Sequence, residues 1–334
     1  MPPRITRRAA LAATLATPLA LSLAPLQPAR AQSAKDGYPA RPVKVVVPFV
    51  PGGNADSTAR IFAEAYAQRL GQPFVIDNRG GASGMIGALQ VVRSEPDGYT
   101  LLMGTTAPIV SSWQLAGKAA YGLKDMKAVA LLTLVPGVLV VNAESSFKTY
   151  QDFVAHARAH PGEVRIGHPG NGTAGHVNIL QIQKALGTPF VIAGYKGAGP
   201  AVQDLLGRQL DAVATDLPSA LQLVKGGKLR ALGVVFPQRV PSLPDVPTMA
   251  EARQPEVDIA PFTAVMAPRN VPQAIVDRIV ATNDAVLADA ATRKRVEDIG
   301  GVPTRMATAD FEQFLARHAA TYAALIHSGL LTAD

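Results

Sequence analysis

Residues 43–60 read VKVVVPFVPGGNADSTAR, and the change of rhythm inside this stretch decides the fold. Four valines and a lysine form a short apolar run of strand type. A Pro-Phe-Val-Pro-Gly-Gly turn stops it. From Asn54 onward Ala55, Ala59, Phe62, Tyr66 and Leu70 recur at helical spacings, and Gly71 stands where a C′ glycine ends a helix. Strand, glycine turn and helix therefore follow one another. The glycines let the backbone come close to a ligand, and a helix start offers unpaired N–H groups with roughly half a positive charge. Together they make a seat for a small anion.

The pattern repeats outward. Residues 74–77 read as a second strand ending in Asn78-Arg79-Gly80-Gly81-Ala82-Ser83-Gly84. A helix follows with Ile86, Leu89 and Val92 on one side, then a Pro96-Asp97-Gly98 turn and a third strand over 99–103. The order βαβαβ predicts a parallel sheet with right-handed crossovers. Residues 129–141 form a long apolar run broken by Pro136-Gly137, read as a strand that leaves one domain and enters a second. Strands and helices alternate again as far as residue 235. The proline-rich stretch 237–261 reads as extended, and a strand at 262–267 precedes helices at 272–288, 291–299 and 308–328. A length of 334 residues suits about two domains.

Composition narrows the function. The hydrophobic fraction of 48% supports real cores, and the absence of cysteine excludes disulfides, thiolate metal sites and cysteine nucleophiles. The formal charge is +7, but Arg4, Arg7, Arg8 and Arg30 stand in an acid-free leader; without them 28 basic residues face 25 acidic ones. With no dense basic stripe or interleaved aromatic run, a nucleic-acid partner is not expected. The leader combines a positive start, an apolar Ala/Leu-rich run over 9–26 and a small-x-small Ala29-Arg30-Ala31 site. Residues 1–31 are expected to be a removed signal peptide of the Sec type, with Thr6-Arg7-Arg8 also resembling a twin-arginine signal. The mature protein is expected to be exported.

Several residues could carry chemistry at the strand ends. The two glycine turns at 51–56 and 80–84 each follow a strand and precede a helix, where open α/β sheets bind ligands. Asp56, in the first turn of its helix, either complements the helix dipole or meets a cationic part of a ligand. Residues 170–175, GNGTAG, match G-x-G-x-x-G. No acid occurs between Gly175 and Asp204, and the next strand ends in Tyr195-Lys196, so the ribose-binding acid of a dinucleotide site is missing. As a carboxylate loop it fits better, because Thr173 adds a hydroxyl at a helix start. His176 either bonds that loop or reaches the ligand. Asp216 is either a binding acid or a helix N-cap, and Tyr195 is a cleft residue or loop surface. His156 and His160 have a zinc-compatible spacing but no third ligand and no intervening glutamate, so they read as a solvated helix face. Ser83 sits in a near match to G-x-S-x-G, with Met85 where the last glycine belongs, which argues against a serine hydrolase. No cofactor or metal is expected.

With these loops located, the whole mature chain resembles the extracytoplasmic receptors of tripartite tricarboxylate transporters, the Bug or TctC-like family. The resemblance rests on Pro48-Phe49, Pro51-Gly52-Gly53 with Asp56 and Ala59-Arg60, on the runs 77–84 and 96–102, and on Gly170-Asn171-Gly172-Thr173 with His176. It continues through Gly194-Tyr195-Lys196-Gly197, Asp204-Leu205-Leu206-Gly207 and the run LPDVPT over 243–248. It implies an α/β type II periplasmic binding protein: two α/β domains, a hinge and a central ligand cleft. The expected division is 32–137 plus 262–334 for one domain and 138–261 for the other. The implied ligand contacts are Phe49, Gly53, Asn54 and Asp56 from the first loop and Ala82, Ser83 and Gly84 from the second. Asn171, Thr173 and His176 join from the other domain. Thr106, Tyr195 and Asp216 would select the part of the ligand beyond its carboxylate. Phe262 stands where the family usually has tryptophan, and Arg208 where it has glycine. The implied function is a periplasmic receptor, expected to be a monomer, that captures a small carboxylate (a di- or tricarboxylate, aromatic acid or acidic amino acid). It would deliver that ligand to a membrane permease. The alternatives are a ligand sensor serving a signalling partner and, less favoured, an exported hydrolase.

Overall fold

A computed structural model describes residues 37–118 and 120–333. The expected signal peptide lies outside the described residues. Among them, no helix is long and apolar enough to cross a membrane.

The opening stretch folds as its pattern predicts. Strand β1 (Val43–Val47) runs into helix α1 (Asn54–Leu70), which Gly71 ends at φ 72°, its N–H bonded to Ala67 O at 3.0 Å. Then come β2 (Phe74–Asn78), α2 (Met85–Val92), β3 (Thr100–Thr105) and α3 (Ser112–Leu115). A π-helical turn over Ala107–Ser111, which apolar spacing alone does not reveal, joins β3 to α3. Strand β4 (Met126–Leu134) leads to β5 (Gly137–Asn142), followed by α4 (Tyr150–Ala159), β6 (Arg165–His168), α5 (Ala174–Leu186) and β7 (Val191–Gly194). Next are α6 (Ala198–Leu206), β8 (Ala212–Asp216), α7 (Leu217–Lys225) and β9 (Leu229–Val235). The chain closes with β10 (Phe262–Pro268), α8 (Gln273–Ala288), α9 (Ala290–Asp298), β11 (Val302–Pro303) and α10 (Thr308–His327).

Two sheets result. One has the order β11-β4-β10-β3-β1-β2, the other β7-β6-β8-β5-β9. The expected parallel arrangement holds for β2-β1-β3 and for β7-β6-β8; β10 pairs antiparallel with β3 and β4, and β5 antiparallel with β8 and β9. Strands β5 and β10 are those by which the chain changes sheet; β11, also antiparallel to its neighbour β4, stays within the first. Helices cover both faces. Val43, Val45 and Val47 pack toward α1, α8 and α9, whereas Val46 packs with the α2 and α10 side, which is why β1 is apolar without alternation. In the second sheet Leu139 and Val141 share a core with α4 and α5, and Val138 and Val140 one with α6 and α7.

The chain passes between the lobes at Val135-Pro136 and returns at Pro261. The two crossings are tied by Val135 N–H to Pro261 O at 2.9 Å. They are the two crossings between the sheets, and the C-terminal ends of β1, β3, β6 and β8 converge on the cleft beside them.

Candidate functional site

Between the lobes lies a small cavity, part of it continuous with solvent. Phe49, Gly53, Asn54 and Thr106 of the first lobe and Thr173 and Asp216 of the second line it. Three helix starts open onto it: α1 at Asn54, α5 at Ala174 and α6 at Ala198. Each leaves its first N–H groups outside the helical ladder, and each carries the positive end of a macrodipole. No lysine, arginine or histidine is among the lining residues. An anion placed there would be met by backbone groups and not by a basic side chain.

Short local bonds shape these helix starts. Asp56 is buried and does not line the cavity. Its carboxylate takes Arg60 Nη2 and Nε at 2.9 and 3.0 Å, Gly52 N–H at 3.1 Å and Asn78 Nδ2 at 3.1 Å, while the same Asn78 nitrogen donates to Phe49 O at 3.1 Å. Burial opposes the charge, but the bonds from Arg60, Gly52 and Asn78 hold the carboxyl below its usual range. Asp56 is thus the clamp of the 49–52 turn, and its acceptor sites are taken by the protein itself. On the other lobe Thr173 Oγ1 donates to Gly170 O at 2.7 Å and accepts from His176 N–H at 3.3 Å, capping α5. Thr106 Oγ1, also buried, accepts from Phe262 N–H at 3.3 Å and so joins the β3 end to the start of β10.

The three glycines of the 170–175 run have structural reasons without a nucleotide. Gly170 and Gly172 have φ of 145° and 69°, and a side chain at Gly172 would start 2.5 Å from Leu115 Cδ1 of the first lobe. At Gly175 it would start 2.3 Å from Ala214 O, so glycine there lets α5 lie directly on β8.

The remaining sequence candidates stand near the cleft without lining the cavity. Ala82, Ser83 and Gly84 form a tight turn with φ of 47°, 49° and 88°; Ser83 O accepts from Ser112 Oγ at 2.9 Å. Ser83 Oγ lies 3.0 Å from where a side chain at Gly170 would begin, so this turn meets the opposite lobe at the cleft rim. Asn171 packs beside Gly194, its Oδ1 3.3 Å from the space a side chain there would enter. His176 lies behind the loop: its Nδ1 accepts from Gly172 N–H at 3.2 Å and its ring stacks on His168 at 4.3 Å. Tyr195 turns its hydroxyl to Asp204 Oδ2 at 2.6 Å; burial and that acceptor push the phenol up to about 12. Asp216, unlike these, lines the cavity, and it occupies the N-cap position of α7.

Sequence reasoning missed Gly197 to Gly199, Pro169 and Pro261 on the wall, and Ser219 beside it. The run at 197–199 could have been found by the rule that found the others, since it too is a glycine turn between a strand and a helix. Pro261 carries no such signal. Among the described residues, no group of three or more His, Cys, Asp or Glu is placed to hold a metal ion.

The lobes are closed on each other. Ser111 Oγ donates to Gly172 O at 2.6 Å, Asn54 N–H donates to Ser219 Oγ at 3.3 Å, and Gln222 Nε2 to Asp298 O at 3.4 Å.

Residues 58–330 match the model of the tripartite tricarboxylate transporter family receptor. The chain belongs to that family. It is 39% identical over 243 residues to the protein BugT of Bordetella pertussis, covering 72% of this chain and 74% of BugT. A solved periplasmic transporter matches with a TM-score of 0.86 at 31% identity over 89% of this chain and all of that one. An R. palustris protein solved with adipate matches with a TM-score of 0.85 at 30% identity, over 89% and 99%. MatC from Rhodopseudomonas palustris, with bound malate, matches at 0.80 and 30%, over 85% and 98%. The architecture described above is accordingly that of periplasmic binding proteins, and the family's members and structural neighbours are receptors.

Proposed function

We propose that this receptor captures a small carboxylate in the periplasm and presents it, closed, to a membrane permease, without catalysing a reaction on it. The observation that carries the reading is the convergence of three helix starts from two lobes on one cavity whose lining residues include no basic side chain. Such a site satisfies a carboxylate through N–H groups and dipoles. The family relationship and the two neighbours with dicarboxylates support it.

The mechanism is differential affinity. Only the closed arrangement brings α1 together with α5 and α6, so ligand stabilises closure about the Val135–Pro261 hinge. Closure hides the ligand and changes the outer surface offered to a permease. Domain limits of 32–137 plus 262–334 and 138–261 fit rotation about these crossings. Micromolar affinity, on the order of −8 kcal/mol, suffices for uptake. Mass spectrometry of ligand released from gently purified protein, followed by a thermal-shift series of small acids, tests this. A carboxylate in the released fraction that raises the melting temperature is expected; no stabilisation by any carboxylate would overturn the reading.

A further inference from the structure

We propose that His168 and His176 form a neutral imidazole pair that positions the 170–173 loop for binding, and that one proton on the pair releases the loop and with it the ligand. The inference rests on the carboxylate-receptor reading above and adds acid control to the same site.

The two rings meet because the loop's own stems bring them together. His168 ends β6 and His176 stands in the first turn of α5. The residues are 1% and 6% exposed, and the rings stack with centroids 4.3 Å apart and planes 10° from parallel. His168 Nδ1 accepts from Gly170 N–H at 3.1 Å, and His176 Nδ1 accepts from Gly172 N–H at 3.2 Å. A ring nitrogen accepts only while it carries no proton, so both imidazoles are neutral here, with the proton on Nε2.

A proton added at either Nδ1 abolishes that acceptor and sets ring N–H against backbone N–H. It also charges a group sealed from water, and a second proton would place like charges 4.3 Å apart. The loop must therefore surrender at least one of its two bonds before a ring can take a proton. That loop carries much of the cleft. Gly172 O accepts from Ser111 of the first lobe, Gly170 lies against Ser83, and Thr173 to Gly175 line the cavity at the start of α5.

The surrounding elements bring few ionisable groups to the pair. Strand β7 is followed by Tyr195, bonded to Asp204 of α6, and by the exposed Lys196. Strand β8 ends in Asp216, whose carboxylate favours a proton nearby. Arg165 and Asp211 pair with each other at the far end of β6, and α5 has no charged residue before Lys184. Ser83, Ser111 and Leu115, which meet the loop from the first lobe, carry no charge.

Amide hydrogen exchange of the ligand-free protein tests the lock, followed residue by residue by NMR and corrected for the intrinsic pH dependence of exchange. If opening returns one imidazole to the ordinary value near 6.5, protection of Gly170 and Gly172 falls about 10-fold between pH 7.5 and 5.5. Imidazole nitrogen shifts at pH 7.5 are expected to show both Nδ1 atoms unprotonated. His168→Asn and His176→Asn, singly and together, keep an acceptor near the Nδ1 position and remove the titrating group; thermal unfolding confirms that they are folded. Protection at pH 7.5 is expected to persist in them, and the double variant, which retains Asp216, is expected to lose the acid response. Wild-type protection that ignores pH, a protonated Nδ1 at pH 7.5, or an acid response that survives in the double variant overturns the lock. The first two readouts need no variant. A pH-indifferent loop in a protein that a carboxylate stabilises overturns the lock alone; an acid-sensitive loop in a protein that no carboxylate stabilises overturns the receptor reading and leaves the lock standing.

Discussion

Ser111 and Gly172 belong to opposite lobes and are joined by a 2.6 Å hydrogen bond from the serine hydroxyl to the glycine carbonyl. Ser111 is fully buried, and Gly172 adopts φ of 69° to bring that carbonyl within reach. The bond links the two lobes. On the proposed closure mechanism it favours the closed side of the equilibrium and contributes to apparent affinity without touching the ligand.

Ser111→Ala is expected to shift the equilibrium toward the open form. One neutral hydrogen bond is worth about 1 kcal/mol, so ligand affinity should fall roughly 5-fold. Small-angle scattering of the ligand-free protein should show a larger radius of gyration. Unchanged affinity and unchanged scattering would mean that the contact does not bias closure.

Gly175→Ala should be costly for a different reason. The added methyl group would meet the Ala214 carbonyl at 2.3 Å, and neither atom belongs to a flexible side chain. Helix α5 would have to lift from β8, taking its N-terminus away from the cavity. A loss of about 2–3 kcal/mol in denaturant unfolding is expected, together with weakened ligand binding. A similar change at Gly227, where a side chain meets nothing within 4 Å but φ is 67°, should cost only the strain of the left-handed backbone, about 1 kcal/mol.

Asp56 and Asp216 should give pH responses of opposite sign. Asp56 is held below the usual carboxylate range, with Arg60 the leading partner against burial. Its stabilisation is present above the unfolded-state value near 4 and is lost as pH falls through the lower folded value. Asp56→Asn should remove about 2 kcal/mol at neutral pH and flatten the acid limb of the stability curve. Loosening of the 49–52 turn should also weaken ligand binding.

For Asp216 the folded value is raised to about 6 by burial. Its contribution is fully present below the unfolded value near 4 and declines as pH rises toward 6. Ligand-free Asp216→Asn should therefore lose this decline and gain stability relative to wild type near neutral pH. Denaturant midpoints measured across that window check the prediction; an identical pH profile in the two proteins would contradict it.

Much of this architecture could be read in the residues because local and global signals agree. Residues 43–71 announce strand, turn, helix and stop in their own spacing, and Gly71 ends α1 in the left-handed conformation that its position demanded. The run 129–141, read as one strand passing between domains, is two strands of different sheets, β4 and β5, divided where Pro136 interrupts the apolar run. The reversal of β10 and β5 was not legible, since strand direction depends on which edge of a sheet is free. At the cleft, strand-to-turn-to-helix patterns pointed to two of the three helix starts that open onto the cavity, those of α1 and α5. They could not separate residues that line the cavity from residues that hold the liners. Asp56 and Asp216 look alike in sequence, each an acid beside a helix start. Arg60 at i+4 and a distant Asn78 occupy the first, whereas a serine one turn on leaves the second open toward the cleft.

On the proposed reading the negative group is met by main-chain amides, and the capture of charge then does not depend on which side chains decorate the three helix starts. A side-chain truncation scan would pass over the chief source of attraction almost silently, reporting on shape and on Asp216 instead. The same property frees the walls to drift: a descendant could exchange Thr106 or Asp216 and adopt another acid while keeping its grip on the carboxylate. On that reading, specificity and anion capture are separable inheritances.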